Sequence, residues 1–207
     1  MVARYYRAIF VDLKKVAASV SNRIPAHSHV LDIGGGDGEP LNHILSLRPD
    51  IRVTMIDVTS SVGSAIRKEF VQRVTRWPGT SIRAFLDRSS IFPEAVLISD
   101  VVHHVPLKMR EAFFRDIAEL TRRSPSTVVI IKDVEPGTFR ASLSYLADRY
   151  ITGDRNVALI SRMELKELIM KVWGSVVWSE TDLFTRDRPN YAVAFSAKQD
   201  LDVSPLS

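Results

Sequence analysis

One short stretch limits the fold more than any other. His29-Val30-Leu31-Asp32-Ile33 is a strand-length, mostly apolar run that leads straight into Gly34-Gly35-Gly36-Asp37-Gly38-Glu39. Gly34, Gly36 and Gly38 alternate between that run and a helix-period stripe of Leu41, Ile44 and Leu45, stopped near Pro49. Strand, glycine turn and helix in that order make half of a βαβ unit, the building block of a parallel sheet. Glycine lets the chain turn sharply there and lets a ligand touch the backbone. The N–H groups that open the helix can meet a negative group.

The alternation continues along the chain. Residues 3–24 read as an amphipathic helix with Tyr6, Ile9, Phe10, Leu13, Val16, Ala17 and Val20 on one face. Residues 51–57 form a second strand, and Val62, Ile66, Phe70 and Val74 mark a helical stripe. A weaker third strand is expected at 81–86 and a fourth at 95–98. A helix over 107–122 buries Phe113, Ile117 and Leu120. Thr127 to Ile131, β-branched and nearly all apolar, suits the doubly buried centre of a parallel sheet. Ser161-Arg162-Met163-Glu164 is a capping-box signature that opens a helix with Leu165, Leu168, Ile169 and Val172 inward. Strands near 175–179 and 191–197 can pair antiparallel. The expected architecture is α/β: a doubly wound, mostly parallel seven-stranded sheet with helices on both faces and an antiparallel C-terminal edge strand. Ligands of such a sheet sit beyond the carboxyl ends of the strands, where the winding reverses.

Composition narrows the rest. The 207 residues suit one domain: an N-terminal helix over 1–27, a main domain over 28–198 and a loose tail over 199–207. There is no cysteine, which excludes disulfides and thiolate metal sites. Neither a signal-peptide pattern nor a membrane-length apolar run is present, so a cytoplasmic protein without a membrane partner is expected. Net charge is +4 with scattered basic residues, which reads as a solvated surface rather than a nucleic-acid footprint.

The glycine loop does not fit a nicotinamide-dinucleotide fingerprint. From Gly34 and Gly36 the third glycine position falls on Glu39, and an acid there faces a pyrophosphate badly. The pattern is instead Asp-x-Gly-x-Gly-x-Gly, suited to a ligand that carries positive charge. Val30 to Glu39 resembles the first motif of class I S-adenosylmethionine-dependent methyltransferases of the small-molecule type. The resemblance covers roughly residues 28–197. It implies S-adenosylmethionine as cofactor, with Asp32, Gly34, Gly35, Gly36 and Gly38 in its loop. Asp57, which ends strand two with Val58 behind it, would take the ribose hydroxyls. Asp87, expected after strand three, would meet the adenine amino group, and Ser99, Asp100 and Val101 would line the inner side. S-adenosylhomocysteine would be the product.

His103 and His104 follow strand four, beside the expected position of the sulfur. In plant-type O-methyltransferases a His-Asp-Trp motif follows that strand and its histidine is the general base. That histidine matches His103, while the Asp and Trp become His104 and Val105. Smaller relatives carry a paired histidine packed near the cofactor. A neutral imidazole suits proton transfer, and a buried histidine bonded to the backbone is the alternative. Two adjacent histidines without further ligands do not make a metal site, so none is expected. The acceptor is expected to be a small molecule, methylated on oxygen or nitrogen, with Tyr5, Tyr6 and Arg7 or Tyr145, Arg149, Tyr150 and Asp154 in its wall. A second reading resembles the Lys-Asp-Lys-Glu tetrad of RNA ribose methyltransferases, with Asp100 and Lys132 in the middle, Lys14 or Lys15 first and Glu180 last. That reading brings in a nucleic-acid partner. A third is a non-catalytic cofactor-binding module.

Overall fold

The computed structural model describes residues 13–136, 157–181 and 190–197. Along the chain these form α1 (Leu13–Ser21), β1 (His29–Ile33), α2 (Glu39–Leu47), β2 (Arg52–Ile56), a 3-10 turn (Lys68–Arg73), β3 (Val74–Trp77) and α3 (Ile82–Arg88). β4 (Ala95–Ser99), a second 3-10 turn (Val102–His104), α4 (Leu107–Arg123), β5 (Val128–Val134), α5 (Arg162–Trp173), β6 (Val176–Thr181) and β7 (Asn190–Ala197) complete them.

All seven strands join one sheet in the order β3-β2-β1-β4-β5-β7-β6. The first five run parallel. β7 is antiparallel to both β5 and β6, and this pair closes the C-terminal side of the sheet. The winding reverses between β1 and β4, which lie side by side although β2 and β3 intervene in sequence. A crevice therefore opens past the carboxyl ends of those two strands.

Successive strand residues point to opposite faces, and this sorts the core into two halves. Val129 and Ile131 of β5 pack with Phe114, Ile117, Leu165 and Ile169 under α4 and α5. Ile130 packs with Ala17, Val20, Leu41 and Ile44 under α1 and α2. Each fully buried aliphatic or aromatic side chain here contributes on the order of 1.5–3 kcal/mol relative to exposure. The β5 run extends past Ile131 to Val134, carrying Lys132 and Asp133 into the sheet.

Three local expectations are corrected. Val62, Ile66 and Phe70 are buried but lie on turns and a 3-10 segment, and Val74 opens β3. The third strand is thus Val74–Trp77, not 81–86. Residues 82–88 are the helix α3, which Ser81 caps by accepting the Ala84 N–H, with Ile82, Phe85 and Leu86 inward at helical spacing. In α4, Phe114 rather than Phe113 is fully buried, and Phe113 is half-buried. Residues 3–12 of the expected first helix lie outside the described residues, as do Tyr5, Tyr6, Arg7, Tyr145, Arg149, Tyr150 and Asp154. Among the described residues no helix is long and apolar enough to cross a membrane.

Candidate cofactor site

The glycine loop fills the crevice between β1 and β4. The Gly34 N–H donates to the Ile56 carbonyl at 2.8 Å, so the chain leaves β1 still tied to β2. Gly34 has φ +70°, and a Cβ there would stand 2.6 Å from a Val101 methyl. At Gly35 a Cβ would collide with the Asp32 carboxylate and the Met55 methyl. Gly36 and Gly38 follow, the latter immediately before α2. The β2–β3 connection clamps the loop from outside. The Gly63 N–H donates to the Gly36 carbonyl at 2.8 Å and the Ala65 N–H to the Asp37 carbonyl at 2.7 Å. Buried Asn42 on α2 fixes that clamp by donating to the Ala65 carbonyl and accepting the Arg67 N–H. Sequence reasoning missed Asn42 and Met55; the available signal was a polar residue inside the apolar stripe of α2.

Asp57 follows β2 and is mostly buried. One carboxylate oxygen accepts the Gly36 N–H at 3.0 Å and the other the Thr59 N–H at 2.8 Å. Its backbone carbonyl accepts the Thr80 N–H at 2.7 Å, which brings the loop after β3 alongside. Val58 beside it is exposed. Asp87 is not part of this group: the strand expected before it is a helix, and Asp87 lies exposed on the last turn of α3.

Asp32 is 4% exposed at the base of a small cleft. Val16, Ala17 and Val20 of α1 line that cleft together with Gly34, Gly35 and Ser99. Among the described residues nothing donates a hydrogen bond to the Asp32 carboxylate. Burial, and then the charge of Asp57, push it up from its ordinary value to about 7. A buried, unbonded carboxylate in a cleft walled mainly by apolar side chains suits a ligand that brings positive charge and suits a phosphate poorly.

Past β4 the two faces of the sheet diverge. Lys132 shares the face of Ile130 and is fully buried; its ammonium pairs with the Asp100 carboxylate. Asp100 has φ +58°, a left-handed conformation uncommon outside glycine, and its N–H donates to the Lys132 carbonyl at 2.9 Å. Its side chain is 43% exposed next to Ser99, so the pair is sealed at one end and open at the other. Asp133 shares the opposite face, across from Tyr191. It holds the His103 ring through Nδ1 at 2.5 Å and accepts the His103 backbone N–H at 3.3 Å. His103 is buried; His104 is half-buried, with its ring centroid 4.1 Å from that of His103.

More groups close around that dyad. The Ala158 N–H donates to the His103 carbonyl, and buried Arg110 donates to the carbonyls of Val105 and Ala158. Burial pulls the Arg110 guanidinium down, and the charge of Asp133 opposes that shift. The Tyr191 hydroxyl donates to the Ile160 carbonyl, and burial pushes the phenol strongly upward. Lys14 and Lys15 are exposed on α1, and Glu180 lies on β6, with all of β7 between it and β5. The structure thus brings Asp32, the glycine loop, Asp57, Ser99 and Asp100 together, and it places His103 beneath the other face.

No family model matches the sequence, and no curated protein matches it. Solved structures do match. SibL, an S-adenosylmethionine-dependent methyltransferase in its apo form, superposes with a TM-score of 0.68 at 18% identity, over 91% of this chain and 55% of that one. The mitomycin 7-O-methyltransferase MmcR gives 0.67 at 21% identity, over 91% and 54%. An O-methyltransferase family 2 protein from Planctomyces limnophilus, solved with apigenin, gives 0.67 at 16% identity, over 88% and 56%. The chain has the class I methyltransferase fold. It spans little more than half the length of these methyltransferases.

Proposed function

We propose that the chain is an S-adenosylmethionine-dependent methyltransferase whose acceptor is a small molecule methylated on oxygen. The observation that carries this reading is the cleft at the β1–β4 crevice under α1, lined by an unbonded Asp32 carboxylate and by the glycine loop, which Asp57 holds through the Gly36 N–H. These residues fit a cationic nucleoside: the Gly35 backbone lies where a side chain would collide with Asp32 and Met55, Asp57 follows a strand end, and the cleft walls are mainly apolar. When bound, the cofactor supplies an activated methyl group on a sulfonium. The chain's own part is to hold the donor and the acceptor in line and keep water out. The names of the solved neighbours support oxygen as the acceptor atom.

For a hydroxyl acceptor a proton must be received. His103 is bonded through Nδ1 to Asp133 and is buried; in this reading its burial, not that bond, makes it a positioning residue. Asp100, anchored by Lys132 beside Ser99, and His104 keep part of their surface exposed, and they are the candidates to meet the acceptor. The Lys132–Asp100 pair is the one observation that favours RNA ribose methylation; the place of Glu180 two strands away from β5 counts against it.

Calorimetry with S-adenosylmethionine and S-adenosylhomocysteine tests the cofactor reading. Binding to the wild type that weakens by about tenfold or more in Asp57→Ala, the cost of about one charge-assisted hydrogen bond, supports it. No binding by folded wild type removes it. Labelled methyl donor offered to phenolic acceptors and to RNA then separates the two substrate readings.

A further inference from the structure

Asp32 poses a problem that the fold does not solve internally. Among the described residues it receives no hydrogen bond, yet it is almost wholly buried and opens onto the cleft. Among the described residues, no element that lines the cleft brings a compensating charge. From α1 the cleft receives Val16, Ala17 and Val20, while Lys14 and Lys15 are exposed elsewhere on that helix. From α2 it receives Pro40, Leu41 and Ile44, and Glu39 and His43 do not line it. β4 contributes Leu97 and Ser99, and Lys132 on the adjacent strand β5 pairs with Asp100. The charged group that acts on Asp32 is Asp57, of the same sign.

We propose that Asp32 is a proton-exchanging counter-ion: without a cation in the cleft it carries a proton, and the cationic methyl donor displaces that proton on binding. The inference rests on the methyltransferase reading above. The O–H bond of the Asp32 carboxyl breaks, the proton passes to solvent, and the carboxylate left behind balances the positive charge that has entered. Burial and the Asp57 charge, which raise Asp32 to about 7, set the range in which the exchange operates. By linkage, donor affinity then falls as pH drops through that range and is about tenfold weaker near pH 6 than near pH 8. Cofactor loading by this protein is therefore sensitive to pH around neutrality.

The test is titration calorimetry of the full chain with S-adenosylmethionine at about pH 6, 7 and 8.5, each in two buffers of different protonation enthalpy. The wild type should release close to one proton per donor bound at the lowest pH and almost none at the highest. Asp32→Asn, which cannot exchange the proton, should show neither that release nor the matching change in affinity. The donor's own amino group contributes equally to both proteins. Donor binding with no proton released near pH 6, or with the same release from Asp32→Asn, overturns the proposal and leaves the methyltransferase reading standing. Absence of binding at every pH overturns both. If Asp32→Asn does not fold, the buffer dependence of the wild type still decides.

Discussion

At Gly35 a methyl group has nowhere to go: the Met55 methyl stands 2.6 Å from where a Cβ would lie, and the Asp32 carboxylate is closer still. Met55 is fully buried, so its terminal methyl gives way only by displacing packed neighbours. Gly35→Ala should therefore cost about 1–3 kcal/mol and abolish donor binding, read by urea unfolding and calorimetry. Asp32 carries a second expectation at this scale. In the folded state it binds its proton up to about pH 7, whereas its ordinary value is 3.8. Between those values the folded chain holds a proton that the unfolded chain has lost, so this residue's contribution to stability rises as pH falls from 8 toward 4. Above about 7 the fold bears a buried charge. Asp32→Asn should accordingly raise the melting temperature of the ligand-free protein at pH 8 more than at pH 5. An equal shift at both pH values would show that Asp32 is not held protonated.

At the scale of elements, α5 is the helix whose start the sequence states most openly. Ser161 accepts the Glu164 N–H, and the Glu164 carboxylate accepts the Ser161 N–H at 2.8 Å. Ser161→Ala should cost about 1 kcal/mol in chemical denaturation with donor binding unchanged. Strong periodic segments such as β1, α2, β4 and α5 were legible because pattern, caps and burial agree. The region 62–88 was not. Val62, Ile66 and Phe70 keep a helical spacing yet are buried from turns that clamp the glycine loop. The four residues of β3 carry too little pattern to compete with that stripe. In 81–86 the β-like reading overlooked the Ser81 cap and the Ile82, Phe85, Leu86 spacing. That shift of register removed Asp87 from the strand ends. The glycine loop and Asp57 were readable because their spacing is local. The His103–Asp133 contact was not, since the two are brought together by the pairing of β4 with β5 and appear unrelated along the chain.

At the scale of the whole molecule, that contact is one strand of a buried network joining β5, the turn after β4, α4, β7 and the segment leading into α5. Asp133 is completely buried and faces both His103 and Arg110. Asp133→Ala leaves those groups without their acid, and breaking a buried pair of this kind costs about 3–5 kcal/mol. The loss should appear in thermal and urea unfolding. Where the variant remains folded, donor affinity should stay within about threefold of wild type, because the network lies under the face away from the cleft. A large affinity loss in a folded variant would mean that His103 reaches the cofactor.

The position of β7 governs how the chain is completed. This strand is wedged between β5 and the earlier-made β6, so β5 waits for a partner that is synthesised after the other six strands of the sheet. A nascent or truncated chain that ends before Asn190 holds every residue of the glycine loop yet exposes β5 as an open, sticky border. Such a fragment invites pairing with other chains until β7 takes its place beside β5.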